Sequence, residues 1–154
     1  MNKENIKLVG HINIKHIRDG KVIGERDIHN LITTVGKALL AGRLNGSGSP
    51  AAATYLGLGI GTTAAAAGDT ALESEIVDSG LARAAATVAL TTTSTANDTA
   101  TLTYTWTASG TKAVTEVGAL NAGSGGTLLG RRVFSAVNVV STDQLQVTYS
   151  FQIS

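Results

Sequence analysis

The chain has 154 residues, a formal net charge of +1, 43% hydrophobic and only 4% aromatic residues, 18 glycines and no cysteine. That length suits one domain able to bury a sizeable core unaided, and the lack of cysteine excludes disulfide and thiolate chemistry. No apolar run approaches the roughly 20 residues that cross a bilayer, and no signal-type apolar segment follows Met1 to Asn5, so the expectation is a soluble protein made in the cytoplasm with no membrane partner.

In residues 6–17, Ile6, Leu8, Ile12 and Ile14 fall at even spacing opposite Lys7, His11, Asn13 and Lys15, the period of a strand. Asp19-Gly20 is a tight-turn pair, so residues 22–28 are expected to return as its hairpin partner. Asn30 is placed to cap a helix over 30–45, in which Leu31, Val35, Ala38, Leu39 and Gly42 recur at helical spacing until the Gly-Ser-Pro cluster at 45–50. Residues 55–60 read as a short strand whose Gly57 and Gly59 admit close approach of backbone or of a neighbouring subunit. Thr70 and Glu73 match a capping box, which predicts a helical turn over 71–76.

Residues 81–90 and 99–107 read as strands joined by the threonine-rich stretch 91–98, with Leu102, Tyr104 and Trp106 on the core face of the second. From Val114 onward come a strand, a glycine hairpin at 121–126, a long return strand, a polar turn and a last strand. In that last strand Leu145, Val147, Tyr149, Phe151 and Ile153 alternate with polar residues. Some seven or eight chiefly antiparallel strands imply a mainly β fold: an antiparallel β-sandwich or jelly-roll-like barrel with one helix after an N-terminal hairpin. The expected organisation is a single β-rich domain over 1–154, made of an N-terminal hairpin or arm at 1–29, a helix at 30–45 and a body at 54–154.

The small net charge hides a gradient. Residues 1–45 hold eight cations against four acids, net +4, whereas 46–110 hold Arg83 against Asp69, Glu73, Glu75, Asp78 and Asp98, net −4. Two solvated faces are the expectation; the alternative is complementary contact between neighbouring copies or on a larger assembly. Nucleic acid is not expected as a partner, because the basic segment lacks interleaved aromatics and alternates with acids.

Little in the chain points to catalysis. Gly57-x-Gly59-x-Gly61 lacks the lysine and spacing of a phosphate loop, and His11, His16 and His29 lack zinc spacing. The acids at 69–78 lack a calcium-loop pattern. No catalytic residue, metal or cofactor is expected. Glu116 stands apart: the strand pattern either buries it, with Arg131 or Arg132 across the hairpin as its cation, or leaves it exposed on an edge strand.

Three runs carry a resemblance. Thr115-Glu116-Val117-Gly118-Ala119-Leu120-Asn121-Ala122 followed by Gly-Gly-Thr-Leu-Leu-Gly-Arg-Arg resembles the T-E-V-G … G-T-L-L-x-R signature of small tailed-phage virion proteins, which also occurs in the base domains of tail fibres. Leu58-Gly59-Ile60-Gly61-Thr62-Thr63 and Gly68-Asp69-Thr70-Ala71-Leu72-Glu73-Ser74-Glu75 are similar to the G-x-G-T-T … G-D-T-x-L-x-x-E stretch of those proteins. Asn30 to Gly36 resembles their entry to the first helix, and residues 1–29 match only loosely.

The resemblance implies a virion structural role rather than a reaction. Capsid decoration comes first, bridging the major capsid protein or other virion proteins. A tail-fibre base or tail-tip component is the runner-up, and a carbohydrate-binding β-sandwich the third class. A homo-oligomer is expected, with a trimer suggested by the type of protein. The candidate structural and assembly residues are Glu116, Gly118, Arg131, Arg132, Asp69, Lys7 and Lys15. The basic N-terminal segment and the loops 45–50 and 121–126 are the expected contact elements.

Overall fold

A computed structural model describes residues 5–154. In chain order the elements are β1 (Leu8–Arg18), β2 (Lys21–His29), β3 (Leu31–Ile32), α1 (Thr34–Asn45), β4 (Tyr55–Gly59), β5 (Ala84–Ala85), β6 (Thr87–Thr91), β7 (Thr99–Thr107), β8 (Lys112–Leu120), β9 (Leu128–Val139) and β10 (Gln144–Ile153). They form two five-stranded antiparallel sheets, one ordered β2-β1-β10-β7-β6 and the other β3-β9-β8-β4-β5.

The expected closure into a β-sandwich or jelly-roll-like barrel is therefore corrected. The protein is mainly β, with two antiparallel sheets and one helix, and neither a barrel nor a jelly-roll closes. The reason lies in the pairing. Among the described residues no backbone ladder joins a strand of one sheet to a strand of the other, and each sheet ends in an edge strand of its own, β2 and β6 in the first and β3 and β5 in the second. The two sheets do share apolar contacts: Ile12, Ile14, Leu102, Trp106, Leu145, Val147 and Tyr149 of the first cluster with Leu56, Leu58, Val114, Val117, Val137 and Val139 of the second.

The β1–β2 hairpin turns at Asp19 (φ 50°) and Gly20 (φ 73°), the paired positive φ values that match the right-handed twist of the flanking strands. β10 lies at the centre of its sheet between β1 and β7, and its alternation holds from Leu145 to Phe151, all buried; Ile153 at its end is 57% exposed.

The helix begins later than the sequence implies. Thr33, not Asn30, is its N-cap, accepting from the Gly36 N–H at 2.9 Å and donating its hydroxyl to the Leu128 carbonyl at 2.5 Å. Asn30 is diverted because the chain changes sheets there. Its N–H bonds the Gly10 carbonyl of the first sheet, and its amide donates to the Tyr149 hydroxyl at 2.7 Å. The helix ends at Gly46, whose φ of 73° is the left-handed conformation that glycine adopts without strain.

Two further expectations fail for the same kind of reason. Residues 81–90 are not one strand: β5 pairs with β4 in one sheet and β6 with β7 in the other, so the segment divides at Ala86, whose N–H bonds the Thr54 carbonyl. Residues 71–76 form no helical turn, because the backbone N–H groups of Glu73 and Ser74 bond the Glu116 carboxylate instead.

Gly36 of α1 lies directly on the β9 backbone, where an added Cβ would collide with the carbonyl of Leu129. Gly→Ala within a helix ordinarily gains up to about 1 kcal/mol. Here Gly36→Ala is expected to reverse that sign and lower the melting temperature, by about 1–3 kcal/mol of overpacking, as read by thermal unfolding.

Candidate functional site

β8 is buried without interruption from Val114 to Leu120, because each of its faces is covered. Val117 and Ala119 face the other sheet. The opposite face, carrying Glu116, Gly118 and Leu120, lies beneath the irregular segment 60–76, whose Leu72 packs with Leu120 and Leu128 in a second small core against Tyr55.

Glu116 has no exposed surface, and its two oxygens are fully engaged. Oε1 accepts from the backbone N–H of Gly61 (3.1 Å) and of Ser74 (2.8 Å); Oε2 accepts from the backbone N–H of Glu73 (3.1 Å) and from Arg131 Nε (2.8 Å). A buried carboxylate is tolerable only with such partners. Of the two arginines left open by the sequence, the cation is Arg131, which is 2% exposed; Arg132, its neighbour on the opposite face of β9, is exposed. Glu116 is a buried residue of an interior strand, not an exposed edge glutamate.

Arg131 is itself a hub. It donates from Nη1 to Asp69 Oδ2 (2.8 Å) and from Nη2 to the Thr63 carbonyl (3.2 Å) and Glu73 Oε2 (3.3 Å). Burial alone pushes the guanidinium pKa down, but its bonds to Asp69 and Glu116 outweigh this and the net direction is up. The Asp69 carboxyl is lowered, first by the Ala66 N–H and then by Arg131; Glu73 is lowered, first by the Thr63 hydroxyl and N–H. All three groups are held in their charged forms.

Two of the runs that carry the resemblance, 58–75 and 115–132, are the parts of this centre. Thr115, opposite a bulge in β9, donates its hydroxyl to the Gly61 carbonyl at 2.7 Å. A Cβ at Gly59 or Gly61 would collide with the Glu116 carboxylate. Gly118 stands directly opposite Arg131 across the β8–β9 ladder, and a side chain there would meet Leu72 and Leu128. Further along, Glu75 forms a two-bonded ion pair with Arg83 at 2.7 Å, and Arg83 Nη1 also donates to the carbonyls of Ala122 and Gly125, tying down the glycine hairpin at 121–126.

The acids in the middle of the chain each find a partner within the molecule, although Glu73 and Asp78 remain exposed. Asp69 and Glu73 meet Arg131, Glu75 meets Arg83, and Asp78 meets Lys112 at 2.9 Å, while Asp98 accepts from the N–H groups of Thr93, Ser94 and Thr95 in its own turn. Lys7 and Lys15 lie far from this centre. Lys7 is exposed, with its backbone paired to Ser154, and Lys15 makes a surface contact with Glu25 at 3.9 Å. Residues 1–4 of the expected N-terminal arm lie outside the described residues.

A second buried acid escapes sequence reading. Asp143, 1% exposed, accepts from Arg18 Nε and Nη2 (both 2.7 Å), from the Val140 N–H (2.9 Å) and lies 2.8 Å from His16 Nε2. The Arg18 hydrogen bonds, reinforced by Val140 and His16, hold its carboxyl well below the usual range against the opposing effect of burial. It fastens the β9–β10 turn to the end of β1, 125 residues away in sequence. A lone aspartate in a Ser-Thr-Asp-Gln turn gives no local sign of that partner.

Chemically, this arrangement braces. Its donors and acceptors are consumed by one another, and among the described residues no group of three or more His, Cys, Asp or Glu is placed to hold a metal ion. No described helix is long and apolar enough to cross a membrane. No family model, curated protein or solved structure matches the chain.

Removing one partner of a buried pair costs about 3–5 kcal/mol. Glu116→Ala, which strands three N–H groups and part of Arg131, is expected to lower the melting temperature by roughly 10 °C, while Arg132→Ala leaves it within about 0.5 kcal/mol of the parent; differential scanning calorimetry on both variants checks the pair. For Asp143 the folded pKa is depressed, so its stabilisation is present above the ordinary value of about 3.9 and is lost as pH falls through the folded value. Asp143→Asn is expected to be less stable at neutral pH and to show a shallower loss of stability below about pH 4, measured by denaturant unfolding across pH.

Proposed function

We propose that this chain is a non-enzymatic structural subunit of a tailed-phage virion, made in the host cytoplasm and incorporated into the particle, and that it serves as a capsid decoration protein. One observation carries the reading: two of the three runs that give the resemblance, 58–75 and 115–132, meet around Glu116 and Arg131, where each contributes to bracing the fold. Such residues make a stiff body, as expected of a part whose task is to add contacts to a shell. The resemblance also favours a homo-oligomer, with a trimer as the form expected from type.

Decoration then works by mass action. Contacts that exist only when capsid subunits are assembled lower the free energy of the assembled state relative to free subunits. Of the expected contact elements, the loop at 45–50 fits an outward role, since all but Pro50 of its residues are exposed. The loop at 121–126 is more constrained, because Arg83 holds two of its carbonyls. Carbohydrate binding is disfavoured by the aromatics: Trp106 and Tyr149 are buried, and Trp106 spends its indole N–H on the Ala82 carbonyl.

Quantitative mass spectrometry of purified virions checks the proposal. Decoration predicts a copy number comparable to that of the major capsid protein. A few copies per particle would move the subunit to a tail-fibre base or tail tip, and complete absence would sink the virion reading.

A further inference from the structure

Sheet edges expose unpaired N–H and C=O groups, and stable proteins normally blunt them with charge, proline, bulges or brevity. Most edges here are blunted. β2 carries Lys21, Glu25, Arg26 and Asp27, and β3 and β5 are two residues each. The part of β9 beyond Arg131, left unpaired by β3, is covered by Arg26, which donates to the carbonyls of Ser135 and Ala136.

β6 is the exception. Its five residues are all exposed and pair on one side only, with β7, in an unbroken register. The chain holds no charged residue between Arg83 and Asp98 and no proline there. Val88 and Leu90 lie opposite Leu102 and Ala100, so they share the face that carries the buried Leu102, yet they overhang it at 53% and 65% exposure. With Ala52 and Ala53 they border an apolar groove of about 400 Å³.

The sequence of this edge identifies its occupant. Thr87-Val88-Ala89-Leu90-Thr91 is nearly symmetric about Ala89. A second copy laid antiparallel about a two-fold axis at Ala89 sets Ala89 against Ala89, Val88 against Leu90 and Thr87 against Thr91. Each is a cross-strand pair of like size and character, with no charge opposed to charge.

We infer that β6 is a homodimerisation edge, through which two copies pair antiparallel across Ala89 and join their five-stranded sheets into one continuous sheet. Main-chain hydrogen bonds supply the attachment, and the Val88 and Leu90 side chains of both copies leave water together on the inner face. The inference does not depend on the virion reading, and it departs from that reading in one respect: a two-fold edge makes a dimer, in place of the trimer expected from type.

Sedimentation equilibrium of the full chain tests the pairing. The expected result is a mass that rises from one chain to two with concentration. In the double variant Val88→Lys, Leu90→Lys it stays at one, while circular dichroism and the melting temperature are unchanged because both side chains are already largely exposed. The absence of cysteine gives a second readout. Residues opposed across an antiparallel pair have Cα atoms about 4.5–5.5 Å apart, within disulfide reach, so Ala89→Cys is expected to cross-link two chains on mild oxidation. Thr105→Cys on β7 is expected not to. A chain that remains monomeric at high concentration overturns the inference. So does an oligomer of any size that survives the double lysine variant or fails to cross-link through Ala89→Cys.

Discussion

A carboxylate with no exposed surface is stable only if the fold supplies what water would have supplied, and Glu116 sets that requirement for half of this molecule. Three backbone N–H groups from the segment 60–76 and one guanidinium from β9 meet it. The consequences spread outward. Gly59 and Gly61 lack side chains so that the acid can approach, segment 60–76 gives up helical bonding to serve it, and Arg131 fixes the β8–β9 register by reaching diagonally past Gly118. An apolar replacement could stabilise such a site as well, but it would not hold an irregular segment by its main chain.

The same logic recurs wherever the chain passes between sheets. Asn30 links Gly10 to Tyr149 at one crossing, and Asp143 ties β1 to the β9–β10 turn at another. Arg26 spans from β2 to β9, with Phe134 under its guanidinium at 5.9 Å. An interior poor in aromatic residues has fewer large contacts to orient two sheets, so buried polar groups with few satisfactory geometries take over part of that work. The acids of the middle segment pair in this way with Arg83, Lys112 and Arg131, whereas of the N-terminal basic side chains it is Arg18, beside His16, that reaches a distant acid, Asp143.

This division of labour gives the functional reading its shape. Of the side chains that look chemically capable, Glu116 and Arg131 are turned inward, Asp69, Glu73 and Glu75 are occupied with arginines, and Arg132 stays exposed. What faces outward is plainer: exposed loops, threonine-rich strand faces and one uncharged sheet edge. The assembly role proposed above rests on this outward face.

Local patterns were legible where one interaction dominates. Period-two alternation located β1, β7 and β10, and the Asp19-Gly20 turn located the first hairpin, because these depend on neighbours in sequence. Glu116 could be singled out, with burial against Arg131 or Arg132 and exposure on an edge strand both left open. The choice between the two arginines needed the facing of β9, which a bulge at Leu129 in that strand decides. The division of residues 81–90 between two sheets, the loss of the turn at 71–76, the move of the cap from Asn30 to Thr33 and the partners of Asp143 all depend on groups far away in the chain. The sequence by itself determined the strands with clear alternation and the first hairpin, and it singled out Glu116 without deciding its burial, since period and side-chain chemistry are local. Only the tertiary structure decided which sheet each strand joins and which charge meets which, since hydrogen-bond satisfaction is settled between segments that only folding brings together.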